Sequence, residues 1–173
     1  MYVEKQCRRL YREAFNDPDT DFENKLFKHC FKYCRVVKVG DEVASMLFAL
    51  PCILEMDCKS LKAYYIYSLS TFEKYRGQGF ASRLVNSLKL ESDRVLFLKP
   101  TTDSLIGFYK KLGFDCFKAS LHETCGAVAV PDSDFLSVAL GETDENDGII
   151  YTAMYYYKEK LNLDNLYFAH TMN

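Results

Sequence analysis

Residues 75–85 read Tyr-Arg-Gly-Gln-Gly-Phe-Ala-Ser-Arg-Leu-Val and follow an apolar, strand-like run from Tyr64 to Leu69. A glycine-rich turn between a strand and an amphipathic helix leaves backbone N–H groups free at the helix N-terminus. There the helix dipole also favours negative charge, so the chemistry on offer is phosphate binding. Spacing separates three kinds of phosphate loop. A nucleotide P-loop needs G-x-x-x-x-G-K-[ST], and no Lys-Ser or Lys-Thr follows Gly79. A dinucleotide fingerprint needs G-x-G-x-x-G straight off its strand. Ser82 stands where the third glycine belongs, and Ser70 to Tyr75 is too long a connection. The pattern left is R-x-x-G-x-A, on Arg76, Gly79 and Ala81. For so short a pattern, a helix start with two turn glycines is the plain alternative.

The elements that must position this loop follow from periodicity. Residues 1–15 place Val3, Cys7, Leu10, Tyr11 and Ala14 at helical spacing, and Asn16-Asp17-Pro18-Asp19 stops that helix. Thr20-x-x-Glu23 has the form of a capping box opening a second helix, with Phe22, Leu26, Phe27, His29, Cys30 and Tyr33 on its face. Arg35 to Val39 and Val43 to Leu50 are β-rich runs around a Gly40-Asp41-Glu42 turn, and Pro51 is expected to end pairing or mark an edge. Lys62 to Thr71 is a third strand. Gly79 to Leu90 is a helix with Phe80, Leu84, Val85 and Leu88 inward.

Arg94 to Lys99 reads as a strand. Asp103 to Leu112 is a helix with Leu105, Phe108, Tyr109 and Leu112 on one face, and Gly113 stands at its C-terminal cap. Phe114 to Leu121 and Ile149 to Tyr157 are strands. Asp132 to Asp147 is acidic and turn-rich, and 158–173 is a tail of uncertain structure. A hairpin followed by strand, loop, helix, strand and helix predicts an α/β fold: one mixed, mostly antiparallel sheet with helices on its faces.

At 173 residues the chain is expected to form a single domain, 1–173. Hydrophobic content of 49% and a net charge of −2 give no case for nucleic acid or an anionic membrane. The longest apolar stretch, Val43 to Leu54, is interrupted by Ser45 and Pro51 and too short to span a bilayer. The seven cysteines are odd in number and form no C-x-x-C pair, which fits a reducing cytoplasm and buried structural thiols. His29, His122 and His170 lie far apart, so no metal is expected.

The loop and the element order together resemble the GCN5-related N-acetyltransferase (GNAT) superfamily, most strongly over residues 10–120. A second motif carries the resemblance further: Phe108-Tyr109-Lys110-Lys111-Leu112-Gly113-Phe114 is similar to the family's aromatic-Tyr-x-x-x-Gly-Phe signature. Leu69-Ser70-Thr71 through Tyr75-Arg76 resembles its strand-to-loop passage. Two features depart from the family. Its common first strand has no counterpart before the first helix. Thr102 stands where members often carry an asparagine for the pantetheine arm.

The resemblance implies the fold and a ligand, acetyl-CoA, used as acyl donor without a metal. Arg76, Gly77, Gln78, Gly79, Phe80, Ala81 and Ser82 would hold the pyrophosphate, and Leu69, Ser70 and Thr71 would pair with the pantetheine arm as an added strand. Thr102, Phe108 and Tyr109 would complete the cofactor contacts. A bulge near Leu69 would aim its N–H at the thioester oxygen, and Tyr109 would protonate the leaving thiolate. Cations Lys74, Arg76, Arg83 and Lys89 surround the loop against Glu73.

The general base stays open. Histone-type relatives place a glutamate where Tyr65 stands, and Glu55, Glu73, Tyr65, Tyr67 or a water chain remain candidates. Tyr64, Tyr65 and Tyr67 are either acceptor-pocket residues or ordinary strand residues. The expected activity is acetyl transfer directly to a primary amine of an unidentified small-molecule or protein acceptor. A non-catalytic acyl-CoA-binding or regulatory protein is the alternative, and a homodimer is left open.

Overall fold

A computed structural model describes residues 2–16, 20–56, 59–91, 93–120, 128–131, 150–161 and 166–168. The acidic stretch 132–147, Cys58, Cys125, His122, His170 and most of the tail lie outside them. The chain divides into two compact units, Met1–Ala49 with Ile66–Ser92, and Leu50–Tyr65 with Asp93–Asn173.

The first unit holds helices α1 (Tyr2–Phe15) and α2 (Thr20–Cys30), strand β1 (Cys34–Val39), the first part of β2 (Glu42–Met56), the end of β3 (Lys59–Thr71) and helix α3 (Phe80–Glu91). Helix α1 buries Cys7, Leu10 and Tyr11, an i, i+3, i+4 stripe, while Ala14 faces outward. Helix α2 buries Leu26, Phe27 and Cys30 and exposes His29, which the sequence reading placed inward. Phe27 packs edge-on against Phe48 of β2 at 5.4 Å and Tyr11 at 5.9 Å between ring centroids. Strands β1 and β2 form the expected hairpin, with Gly40 at φ 59° and a pair at Val39 and Glu42, so the turn is two residues. A register shift at Val37/Lys38 breaks the regularity of β1.

Glu23 was expected to cap α2. Its carboxylate instead takes Arg12 at 2.6 and 2.9 Å and Arg8 at 3.1 Å, tying α2 to α1. Burial opposes ionisation, but the hydrogen bonds and charges of Arg12 and Arg8 outweigh it and hold the carboxyl below its ordinary value. A lowered carboxyl binds fewer protons folded than unfolded, so its stabilisation is complete above the unfolded value near 4.3 and fades as pH falls further (about one pH unit per tenfold). Glu23→Ala leaves two arginines without their shared partner, and a loss of about 2–4 kcal/mol is expected. Thermal melts at pH 7 and pH 3 check this: the wild-type advantage should be large at neutral pH and shrink in acid.

The second unit holds the rest of β2 and β3, strands β4 (Val95–Leu98), β5 (Asp115–Ser120), β6 (Val128–Pro131), β7 (Ile150–Tyr156) and β8 (Leu166–Phe168), and helix α4 (Asp103–Lys111). Strand β4, buried along its length, runs parallel to β3 and antiparallel to β7. Strand β7 pairs antiparallel with β5, β5 and β6 both pair parallel with β8, and β6 returns antiparallel to β2. The mixed, mostly antiparallel sheet flanked by helices is the architecture the sequence predicts. Strands β6 and β8 were not foreseen, being only four and three residues long.

Pro51 does not end β2, which continues to Met56. The β1 pairing on β2 stops at Phe48 and the β6 pairing begins at Cys52, so Pro51 falls between these two ladders, where neither needs its missing N–H.

Candidate functional site

The glycine loop lies in the first unit, between β3 and α3. Gly77 and Gly79 have φ of 74° and 79°, the left-handed region that glycine enters without strain. No protein atom comes within 4 Å of a Cβ built on either, so that side of the backbone is open. The first α3 bond runs from the Arg83 N–H to the Gly79 carbonyl at 2.9 Å. The N–H groups of Phe80, Ala81 and Ser82 therefore have no intrahelical acceptor, and the positive end of the helix dipole lies among them.

The Arg76 N–H is already used, donating to Glu73 O at 3.1 Å, so it drops out of the expected donor set. Its side chain turns back to the strand, with Nε 3.3 Å from Thr71 O, and Gln78 donates to Lys74 O at 3.0 Å. The expected cation cluster also thins. Lys74 and Tyr75 both donate to Glu42, which holds that carboxyl below its ordinary value. Lys89 lies about 13 Å along α3 from Phe80 at 1.5 Å per residue. Arg76 and Arg83 are the cations left near the helix start.

Strand β3 leads into that loop. Its pairing with β4 is confined to Ala63, Tyr64 and Tyr65. From Ile66 onward, the β3 edge away from β2 has no strand partner among the described residues. On the β2 side the groups are engaged: Ser45 Oγ donates to Ser70 O at 2.7 Å, and the Phe72 N–H to Ala44 O at 3.1 Å. Backbone groups alternate in direction along a strand, which turns the Leu69 and Thr71 groups to the unpaired edge. Just before them, Ser68 adopts φ 52°. This is a left-handed residue within a strand that otherwise runs unbroken from Lys59 to Thr71.

Tyr109 lies in the second unit, on α4. It is buried, with Phe108 and Phe114 at 5.0 and 5.5 Å between ring centroids. Burial pushes its phenol well above the ordinary tyrosine value, so it is a neutral donor at physiological pH. The motif around it is a helix terminus. Gly113, at φ 79°, donates to Lys110 O at 2.9 Å, and the Phe114 N–H to Tyr109 O at 3.1 Å. That is a Schellman cap, with Tyr109 and Phe114 as its apolar contact. Thr102 is the residue before α4; its hydroxyl shares a 2.9 Å hydrogen bond with Ser104 and is exposed.

The model of the acetyltransferase (GNAT) domain matches residues 3–117, about two thirds of the sequence. The chain belongs to the GNAT family. Solved structures agree at the level of fold. A GCN5-related N-acetyltransferase from Anabaena variabilis superposes with a TM-score of 0.57 at 21% identity, over 66% of this chain and 30% of its own length. The chain thus spans under a third of that protein. Arabidopsis thaliana Naa50, in complex with the bisubstrate analogue CoA-Ac-MVNAL, gives 0.54 at 19% identity, over 88% and 91% of the two chains. An aminoglycoside 6'-N-acetyltransferase complexed with coenzyme A gives 0.55 at 14% identity, over 88% and 89%. No curated protein sequence matches the chain.

Within this GNAT domain no base candidate stands out. Tyr65 is buried, its ring 5.2 Å from Phe97. Tyr67 meets Phe22 of α2 at 6.5 Å, and Tyr64 lies under the Arg94 guanidinium at 4.6 Å. Glu73 is exposed in a single 3-10 turn, and Glu55 has only its backbone described. Among the described residues no group of His, Cys, Asp and Glu is arranged to hold a metal ion, and no helix is long and apolar enough to cross a membrane. Cys7, Cys30 and Cys52 are buried thiols as expected, whereas Cys116 is exposed. Sequence reasoning missed Ser45, whose hydroxyl donates to the Ser70 carbonyl and meets the Thr71 hydroxyl. A lone serine in a strand of apolar residues was the available sign.

Proposed function

We propose that the chain is an acetyl-CoA-dependent N-acetyltransferase that passes the acetyl group directly to a primary amine. The observation that carries this reading is one continuous surface of the first unit. The β3 edge around Leu69 and Thr71, which has no strand partner among the described residues, runs into the orphan N–H groups at the start of α3. An extended amide-bearing arm ending in a pyrophosphate matches both parts: strand addition for the arm, helix N-terminus for the phosphates. Gly77, Gln78 and Gly79, with the N–H groups of Phe80, Ala81 and Ser82, hold the pyrophosphate. Leu69 and Thr71 offer main-chain groups to the arm, and the Leu69 N–H serves the thioester oxygen.

In the reaction the amine nitrogen attacks the thioester carbon. The N–C bond forms, the C–S bond breaks, the thiolate takes a proton from Tyr109, the amine gives one up to a base or to solvent, and Tyr109 regains its proton from solvent before the next turnover. The acetylated amine and free CoA leave. A second reading, an acyl-CoA-binding or regulatory protein, is favoured by one observation: where histone-type relatives carry a glutamate, Tyr65 is packed against Phe97.

Release of free CoA from acetyl-CoA, measured across a panel of small amines and peptide N-termini, tests the proposal. Turnover of at least one amine, with acetyl-CoA raising the melting temperature, is the expected result. Tight acetyl-CoA binding without turnover of any amine selects the second reading, and the absence of any thermal shift defeats both.

A further inference from the structure

Ser68 has two unusual features at once. Its φ of 52° is a left-handed conformation that a residue with a Cβ adopts only under constraint. The residue is 9% exposed, and its hydroxyl is buried without a hydrogen-bond partner. The neighbouring hydroxyls show how readily a partner is found here. Ser70 Oγ donates to Ser68 O at 3.3 Å, Ser45 Oγ donates to Ser70 O at 2.7 Å, and Ser45 and Thr71 share a contact at 2.9 Å. A serine hydroxyl rotates freely, so an unmet one in such company is exceptional.

Neither the backbone nor the packing accounts for a serine at this position. Glycine relieves the left-handed backbone, and alanine removes the buried polar atom. What serine alone adds is a donor, next to Leu69, whose N–H faces the unpaired edge of β3. We propose that the Ser68 hydroxyl is a second donor to the carbonyl oxygen of the bound acetyl thioester, beside the Leu69 N–H. This rests on the acetyltransferase reading above. Desolvated by its surroundings and free to turn toward that oxygen, the hydroxyl gains most when the oxygen takes up negative charge in the tetrahedral intermediate. The empty hydrogen bond of the free protein is filled by the substrate.

The test compares wild type with Ser68→Ala, Ser68→Gly and Ser68→Asn. Four quantities are measured: melting temperature without ligand, affinity for acetyl-CoA and for CoA, and kcat and KM for an accepted amine. In Ser68→Ala the melting temperature holds or rises, because an unpaired polar atom has been removed. Affinity for CoA is unchanged, and any preference for acetyl-CoA over CoA is lost. The kcat falls by about 100-fold, the scale of one oxyanion donor, with KM for the amine unchanged. Ser68→Gly behaves alike. Ser68→Asn, which tolerates the backbone and keeps a donor, recovers part of kcat.

If Ser68→Ala retains wild-type kcat and acetyl preference, the proposal is overturned and the acetyltransferase reading stands. It is equally overturned if that variant unfolds, which makes the hydroxyl structural, or if only the amine KM rises, which assigns it to the acceptor. Wild-type protein that binds neither acetyl-CoA nor CoA sinks both.

Discussion

Gly79→Val is expected to weaken acetyl-CoA binding by about 100- to 10,000-fold. The reason is conformational before it is steric. Gly79 sits at φ 79°, and a β-branched side chain there is strained whatever the surrounding space. The variant relieves the strain by rotating the peptide units that flank residue 79, which re-aims the Gly79 and Phe80 N–H groups. Each hydrogen bond to a charged group contributes about 1.5–3 kcal/mol, so losing two costs about 3–6 kcal/mol. At about 1.4 kcal/mol per tenfold, that gives the range stated. A valine that keeps the loop as it is projects instead into the open side where a phosphate would approach. Binding falls in either case. Gly79→Ala should show a smaller loss, and circular dichroism should show helix content close to wild type, because Leu84, Val85 and Leu88 still bury α3. An acetyl-CoA affinity within threefold of wild type, by calorimetry, would remove this loop from its role.

The sequence carried more of the fold than of the site, and particular residues show why. Helix α1 and the inward face of α3 were legible because the burial of Cys7, Leu10 and Tyr11, or Leu84, Val85 and Leu88, is a local property of a 3.6-residue repeat. Gly113 was legible for the same reason, since a C-terminal cap needs a left-handed residue within one turn of the helix. Pro51 was legible in part: the β1 ladder stops before it, as expected, but β2 runs on to Met56 because β6 takes up pairing at Cys52, a long-range fact. Glu23 misled: a capping box and a partner for Arg8 and Arg12 look identical in a string.

The candidate site divides the same way. The loop glycines could be read because phosphate binding by a helix N-terminus is built from consecutive residues. Ser68, Ser45 and the β3 edge beyond its β4 pairing could not, because each is defined by what lies across from it among the described residues. The Schellman geometry of residues 109–114 accounts for the second motif on structural grounds. Its Tyr-x-x-x-Gly-Phe spacing is what a capped helix with an aromatic contact requires, so its chemistry must be established at Tyr109 itself.

Tyr109→Phe provides that separation and is expected to lower kcat by about 100- to 1,000-fold, within the usual range for a positioned acid. The substitution removes only the hydroxyl. The contacts of the ring with Phe108 and Phe114 and the cap bonds at Gly113 and Phe114 remain, so the melting temperature and the acetyl-CoA affinity stay near wild type. The pH dependence follows from burial, which raises the phenol above its ordinary value near 10 (roughly). The proton is retained across the working range, so no alkaline fall in kcat below about pH 10 comes from this residue. The same shift has a sign for stability. Above the unfolded value the native state binds the proton that the unfolded chain has released, so stability declines as pH rises through that window. Tyr109→Phe removes this decline, visible as a shallower loss of melting temperature between pH 9 and 11 (about the tyrosine range). A variant that keeps wild-type kcat yet flattens the alkaline melting curve would make Tyr109 a packing residue of the α4 terminus, and the leaving thiolate would then draw its proton from solvent.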